Sequence, residues 1–210
     1  MNLYLIRHGR QSSRLCNVNV DLDENGHRQA RLVGERLLPT EIDVVYSSDL
    51  YRAVQTAEEA NRLWQVRHVI DARLREISYG DMEGMSDEDI AVTYAGLNAR
   101  RNLMIEDIPY PGGECAGDVV KRVMPVLEEI VQTDARQVAI VTHGGVIRSI
   151  VTYLLGMELA KSRLLCTSLE NCSITQLSWN PKKHRFVLER LNDFAHLEPY
   201  PHLLRKNWSE

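Results

Sequence analysis

Arginine and histidine residues follow apolar runs at three points of the chain. Arg7 and His8 come directly after LYLI, His143 comes directly after QVAIVT, and the run DVVY leads into SSDLYR, which ends at Arg52. Guanidinium groups offer planar pairs of donors that fit the oxygens of a phosphoryl group. A histidine beside them could donate a hydrogen bond to phosphate, act as a general base or act as a nucleophile, and the residues alone leave these three roles open.

Alternating strands and helices are needed to position these side chains. Short apolar runs predict strands, and apolar residues at helical spacing predict helices between them. The alternation predicts an α/β fold with three α/β/α layers around a mostly parallel central sheet, edged by an antiparallel terminal hairpin at Asn180 and Pro181. We predict strands at residues 3–6, 43–46, 69–70 and 137–142, and helices at 24–38, 118–131, 145–155 and from an N-cap among Ser47, Ser48 and Asp49 to Trp64.

The predicted topology brings the candidate residues together. Ligands of open α/β sheets lie beyond the carboxyl ends of the strands, where Arg7, His8, Arg52 and His143 are all expected. Helix N-termini on that side supply free backbone N–H groups. A glycine follows each of the two candidate histidines, Gly9 after His8 and Gly144 after His143, and lets the backbone approach an anion closely. The pattern therefore predicts a site for a phosphoryl group.

Composition limits the class of protein. The chain has 210 residues and a formal net charge of −4, so it lacks the basic surplus that nucleic acids or anionic membranes require. Four scattered cysteines are typical of reduced thiols, and the sequence contains neither a secretory signal nor the ~20 apolar residues that span a bilayer. We expect one domain over residues 1–210, a cytoplasmic location, and no nucleic-acid or membrane partner.

Motifs of several other enzyme classes are absent from the sequence. It contains no G-x-S-x-G, no G-x-x-x-x-G-K-[ST] and no G-x-G-x-x-G after a strand, which argues against serine hydrolases and nucleotide-binding enzymes. No two histidines have the i, i+4 spacing of a helical zinc site. We therefore expect neither a metal nor a cofactor.

Five ordered motifs carry a resemblance to a known family. LIRHG, SSDLYRAVQTA, LREISYGDMEG, PGGE and VTHGGVIR resemble the successive motifs of the histidine phosphatase superfamily, which includes the cofactor-dependent phosphoglycerate mutases. The segment LNDFAHL is similar to the C-terminal pattern of its small bacterial phosphatase branch, which includes α-ribazole phosphatases and broad-specificity phosphatases. The resemblance implies a phosphoglycerate mutase-like fold with a small helical cap inserted at about residues 77–135.

The resemblance also implies roles for individual residues. His8 would be the nucleophile that forms a phosphohistidine, and Glu76 would be the proton donor. The phosphoryl oxygens would be bound by Arg7, Asn17, Arg52, His143 and Gly144. From the residues alone, the preferred interpretation of Glu76 is an ordinary loop carboxylate that pairs with Arg73 or Arg75. The chain departs from the family at Arg10, where relatives usually carry an acidic residue, and the loop that follows makes the position of Asn17 uncertain in register.

Three functions remain open on the sequence. The leading one is a metal-independent phosphomonoesterase that hydrolyses a small phosphorylated metabolite. The second is mutase-type phosphoryl transfer, although mutases of this family tend to be longer through the cap. The third, of another class, is a catalytically weak phosphate-binding or scaffold protein on the same fold. The physiological substrate and a homo-oligomeric state cannot be predicted from the sequence.

Overall fold

A computed structural model describes residues 1–207 and contains a central sheet of six strands in the order β3-β2-β4-β1-β5-β6. The pairs β1–β4, β2–β4 and β2–β3 are parallel, whereas β5 is antiparallel to both β1 and β6. The predicted mostly parallel sheet with an antiparallel terminal hairpin is confirmed. The strands are β1 (Asn2–Arg7), β2 (Val44–Ser47), β3 (Arg67–Ile70), β4 (Gln137–Thr142), β5 (Ile174–Asn180) and β6 (Arg185–Asp193).

Helices cover both faces of the sheet, because successive strand residues point to opposite sides. Leu3 and Leu5 of β1 pack in the cluster that contains the buried faces of α5 and α6. Tyr4 and Ile6 pack in the opposite cluster, which contains those of α1 and α2. The predicted three-layer architecture is thereby confirmed. The helices are α1 (Glu24–Leu37), α2 (Tyr51–Trp64), α3 (Asp87–Thr93), α4 (Ala95–Asn102), α5 (Ala116–Ile130) and α6 (Gly144–Leu154).

The start of α2 differs from the prediction. Ser47 still belongs to β2, and the backbone N–H of Ser48 donates to the carbonyl of Val141, so pairing with the sheet extends past the predicted N-cap. The helix begins at Tyr51, whose N–H donates to Asn19 Oδ1 at 2.9 Å. The N-cap prediction at Ser47–Asp49 was therefore wrong, because an asparagine from a distant loop satisfies the first helical turn.

The segment between β3 and α5 contains most of the predicted cap. Helices α3 and α4 bury no residue, as expected of an element that lies over the edge of a domain. Helix α5 has seven buried residues, and six of them, including Val119 and Val123, pack in the core cluster that α5 shares with α6. We therefore propose that the cap is limited to about residues 77–115, and that α5 belongs to the core layer rather than to the insertion predicted at 77–135.

The chain after β6 folds back onto α1. Leu197 and Leu203 are fully buried in a small cluster that also contacts Leu32 of α1. Gln29 of α1, also fully buried, donates from Nε2 to the carbonyl of Leu203 at 2.8 Å. This anchoring returns residues 204–207 to the side of the sheet where β1 ends. Within residues 1–207, no helix combines the length and apolar character needed to cross a membrane.

Candidate active site

His8 lies immediately after β1 and is 5% exposed. Its Nδ1 is 2.7 Å from the carbonyl oxygen of Gly9, an acceptor, so Nδ1 carries the proton and Nε2 has the lone pair. The carbonyl of His8 accepts a hydrogen bond from Asn171 Nδ2 at 2.7 Å, and the N–H of Gly9 donates to Thr56 Oγ1 at 2.9 Å. Backbone and ring are therefore both fixed, with Nε2 available to a ligand.

Gly9 is required by a close contact between two backbone segments. A Cβ at this position would lie 2.7 Å from the carbonyl oxygen of Gly26, in the first turn of α1. Gly26 is equally constrained, since its Cβ would lie 2.1 Å from the carbonyl oxygen of Arg10. The two glycines thus let the His8 segment pack directly against α1.

The guanidinium groups of Arg7 and Arg52 flank His8. Arg7 donates from Nη1 to the carbonyl of Leu169, while Arg52, 2% exposed, donates to the carbonyl of Val18 at 2.9 Å and to Asn17 Oδ1 at 2.7 Å. The Nε atoms of both arginines are buried and have no hydrogen-bond partner among residues 1–207. All their bonded partners are neutral, so the positive charge of both side chains remains available to an anion.

His143 faces His8 from the end of β4. The ring centroids are 5.1 Å apart, and His143 Nε2 shares a 2.7 Å hydrogen bond with Ser48 Oγ. Its Nδ1 is buried without a partner in the described part of the chain. Gly144 follows as the first residue of α6, and a Cβ there would lie 3.7 Å from Arg7 Nε, so the space beside Arg7 stays open.

Burial and the neighbouring arginines decide the protonation of both histidines. Loss of hydration, followed by the charges of Arg52 and Arg7, holds the pKa of His8 well below its ordinary value. Burial, Arg52, His8 and Arg7 lower the pKa of His143 in the same way. Burial also lowers the pKa of Arg7 to about 10, which leaves it cationic at neutral pH. The site therefore contains two neutral imidazoles between two cations.

Glu76 reaches the same site from the loop after β3. Its Oε1 accepts from the N–H of Ile77 at 2.8 Å and its Oε2 from that of Gly145, near the start of α6, at 3.3 Å. The alternative partners of Glu76 are engaged elsewhere, because Arg73 binds Asp71 and Glu129 and Arg75 binds Asp49. The carboxylate is thereby left facing the cleft.

Most of the residues predicted from the sequence line one cleft. Its volume is about 720 Å³, and its wall includes Arg7, His8, Asn17, Arg52 and Glu76. Gly144 lines an adjoining cavity of about 280 Å³ instead. His143 is fully buried beside His8 and is not part of the lining of either cavity. The structure thus brings all seven predicted residues into one region of the molecule.

Asn17 lies in the wall of the cleft and binds two other side chains. Its side chain binds Arg52 through Oδ1 and Glu83 through Nδ2, and its φ of 46° is left-handed, as asparagine tolerates. It therefore orients Arg52 in this structure, while its own position at the cleft wall still permits contact with a ligand.

Sequence reasoning missed several residues of the cleft. Arg163 and Arg205 line both cavities, Asn171 binds the His8 carbonyl, and Ser48 binds His143. Arg163 and Arg205 come from segments without periodic apolar residues, so no sequence signal placed them. Ser48 did carry a signal, since it directly follows β2, but a helix cap was the simpler interpretation. The described residues contain no group of three or more His, Cys, Asp or Glu side chains that could hold a metal ion.

This geometry matches that of known proteins. The family model of the histidine phosphatase superfamily (branch 1) matches residues 3–193. The chain belongs to this superfamily.

Among other histidine phosphatases, phosphoserine phosphatase 1 of Hydrogenobacter thermophilus is 30% identical over 206 residues, which cover 94% of each chain. The "Probable phosphoglycerate mutase GpmB" of Salmonella choleraesuis is 29% identical over 209 residues, covering 94% of this chain and 95% of that one. The solved structure of the mycobacterial glucosyl-3-phosphoglycerate phosphatase with VO3 superposes with a TM-score of 0.81 at 30% identity, covering 91% of this chain and 98% of that one. The chain is accordingly a phosphatase, a phosphoric monoester hydrolase.

Proposed function

We propose that this protein is a metal-independent phosphomonoesterase that hydrolyses a small phosphorylated metabolite through a phosphohistidine on His8. The observation that carries the proposal is the state of His8. Its Nδ1 is bound to the carbonyl of Gly9, its pKa is lowered by burial and by two arginines, and its Nε2 lies in the cleft as a neutral nucleophile.

In the first step, His8 Nε2 attacks phosphorus while the bond to the ester oxygen breaks. The guanidinium groups of Arg7 and Arg52 neutralise the equatorial oxygens as charge develops. If the Ser48 hydroxyl donates to His143 Nε2, the buried Nδ1–H of His143 donates to the phosphoryl group. The departing alkoxide takes a proton from the Glu76 carboxyl, which lies in the wall of the same cleft.

In the second step, water attacks the phosphohistidine and the phosphorus–Nε2 bond breaks. Glu76, now a carboxylate, accepts the proton of the attacking water. Inorganic phosphate leaves with His8 again neutral. The same buried arginines serve both steps, since the phosphoryl group remains between them while its apical ligands exchange.

The principal experiment measures phosphate release from a panel of metabolite phosphates, with EDTA present, for the wild type and His8→Ala. We expect full activity in EDTA and a loss of at least about 10³-fold in the variant, because the nucleophile is removed. Rapid acid-free quenching should trap an alkali-stable, acid-labile phosphoenzyme in the wild type alone. Activity lost in EDTA, or retained in His8→Ala, would contradict the mechanism.

Mutase-type phosphoryl transfer is a second candidate, supported by the similarity to the Salmonella protein. It requires the phosphohistidine to be protected from water and returned to a second hydroxyl. Interconversion of 2- and 3-phosphoglycerate measured beside phosphate release separates the two activities, and rapid interconversion with little release would favour the mutase. If no compound of the panel is hydrolysed, the result would favour a phosphate-binding scaffold. The presence of His8, Glu76 and His143 favours an enzyme.

A further inference from the structure

A second cavity lies beside the His8 cleft. Its volume is about 280 Å³, and it is bounded by the start of α6, the cap loop at residues 106–110 and the 3-10 turn Leu159–Leu164. The two cavities are adjacent rather than separate sites, because several residues line both. These shared residues are Arg7, Glu76, Tyr79, Tyr110, Arg163 and Arg205.

Arginine side chains on the wall of this cavity bind neutral groups. Arg148, on α6, donates from Nη2 to the carbonyls of Cys166 and Thr167 at 3.1 and 3.0 Å. Its Nε is buried and has no partner within residues 1–207. Arg163, whose side chain is exposed, donates from Nη2 to the hydroxyl of Tyr110 at 3.0 Å. Neither contact neutralises the guanidinium charge.

The acidic residues at this cavity are partly committed to other contacts. Asp107 accepts from the backbone N–H groups of Ala116 and Gly117 at the start of α5, at 3.1 and 2.7 Å. Glu106 Oε2 lies 3.5 Å from Nη2 of Arg100, which is not part of the cavity lining. Glu76 also lines the cavity, as the proton donor of the proposed reaction. Five arginines therefore line a cavity with three carboxylates, and each carboxylate has another hydrogen-bond or ion-pair partner.

Arg205 adds a cation at the junction of the two cavities. Its backbone N–H donates to Glu170 Oε1 at 3.1 Å, and its Nη1 donates to Asn171 Oδ1 at 3.3 Å. Burial lowers the pKa of the Arg205 guanidinium, and the negative charge of Glu170 opposes this shift. The anchored tail thus holds a positive charge within reach of both the phosphoryl site and the second cavity.

We propose that the second cavity binds a further anionic group of the substrate, a carboxylate or a second phosphate, with Arg163 and Arg148 as its binding residues. This assignment rests on the proposed phosphatase function, since the phosphoryl group of the same molecule must lie at His8. Guanidinium forks bind both kinds of anion in the same way, so the shared chemistry is an anionic group with two or more oxygens. The substrate class is therefore a phosphomonoester with a second negative group.

Matched substrate pairs test the assignment. Glycerol 3-phosphate and 3-phosphoglycerate differ only in a hydroxymethyl group that is replaced by a carboxylate. Fructose 6-phosphate and fructose 1,6-bisphosphate differ in a second phosphate. We expect the wild type to prefer the second member of at least one pair by about tenfold in kcat/KM, the scale of a charge-assisted hydrogen bond. The pair that responds identifies the group.

Variants locate the preference. Arg163→Gln should raise KM about tenfold for the member with a second anionic group and leave its kcat unchanged. The member without that group should stay within twofold of the wild type. Arg163→Lys should restore part of the preference, because it keeps the charge without the fork. Arg62 lies on the outer surface of α2 and is paired with Glu59, so Arg62→Gln is the matched control. It should change kcat and KM for neither substrate. Equal losses for both members, or none, would overturn the assignment.

Failure of the proposed function gives a different result. The wild type would then hydrolyse neither these esters nor p-nitrophenyl phosphate, which lacks a second anionic group. Calorimetric titration of the wild type and Arg163→Gln with each pair then tests the cavity alone. A preference that is present in the wild type and lost in the variant supports the second anion site, and equal affinities refute it.

Discussion

Two arginines that line the cavities, Arg52 and Arg148, have different kinds of partners from Arg73 and Arg122, which line neither cavity. Arg52 and Arg148 bind carbonyl and amide oxygens, whereas Arg73 binds two carboxylates and Arg122 binds Glu114. A guanidinium paired with a carboxylate contributes little net charge to its surroundings, whereas one held by neutral oxygens keeps its full charge. A protein with a net charge of −4 can therefore maintain a strongly positive pocket.

The same comparison can be made between carboxylates inside and outside the cleft. Exchange of the carboxylate in the cleft should have the largest effect on activity. Glu76 lies in the cleft and accepts only backbone N–H groups in the contacts described above, while Glu129 is paired with Arg73 on the surface. Glu76→Gln keeps the shape but cannot transfer a proton, so kcat for an alkyl phosphate should fall about 10²- to 10⁴-fold. The loss should be smaller for p-nitrophenyl phosphate, whose leaving group needs no proton. Glu129→Gln should leave kcat unchanged, and a similar loss in both variants would contradict the comparison.

Exchange of a cleft arginine is expected to be the next largest effect. Arg52→Gln removes a cation from the transition state, so kcat/KM should fall about 10²- to 10³-fold. Arg73→Gln removes a cation that is already paired with carboxylates, so its kcat/KM should stay within twofold of the wild-type value. Steady-state kinetics on p-nitrophenyl phosphate measure both, and thermal unfolding of each variant shows whether the fold is intact. A folded Arg52→Gln enzyme with near wild-type activity would break the distinction.

For the free energy of unfolding, we expect the larger loss from exchange of an arginine outside the cavities. Arg122 binds Glu114 and also donates to the carbonyls of Arg73, Arg75 and Glu76, so it ties the loop after β3 to α5. Arg122→Gln should lower the free energy of unfolding by about 2 kcal/mol, since a partly buried carboxylate loses its partner. Arg163→Gln, in the cleft, should leave the free energy of unfolding unchanged. Urea denaturation measures both variants. Equal destabilisation would mean that cleft arginines also hold the fold together.

The smallest expected effect is a change in the protonation of His8. Arg52 helps to lower the pKa of His8, so Arg52→Gln should raise that pKa toward its ordinary value of 6.5, while Arg73→Gln should not. The imidazole resonances of His8, followed by NMR during acidification, measure the shift directly. Because the unfolded state binds a proton near pH 6.5 and folded His8 does not, its contribution to stability is present above pH 6.5 and is lost as the pH falls further. An unchanged His8 pKa in Arg52→Gln would show that burial alone sets it.

The sequence predicted the parts of the site that adjoin strands. His8 and His143 follow β1 and β4, which are parallel neighbours, so their meeting is a consequence of topology. Arg163 and Arg205 could not be placed in the same way, because they lie in 3-10 turns whose direction depends on tertiary contacts. The N-cap prediction at Ser47–Asp49 failed for a related reason. Local preference favoured a cap, but sheet pairing and the bond from Ser48 to His143 determine the conformation.

The position of Arg205 has a consequence for truncation of the chain. A chain that ends at Leu204 would retain all six strands and the small cluster that anchors the tail to α1. His8 and His143 would keep their places at the ends of β1 and β4, but Asn171 Oδ1 would lose the guanidinium that binds it. Removal of the last six residues would therefore change the charge of the pocket without removing any part of the sheet.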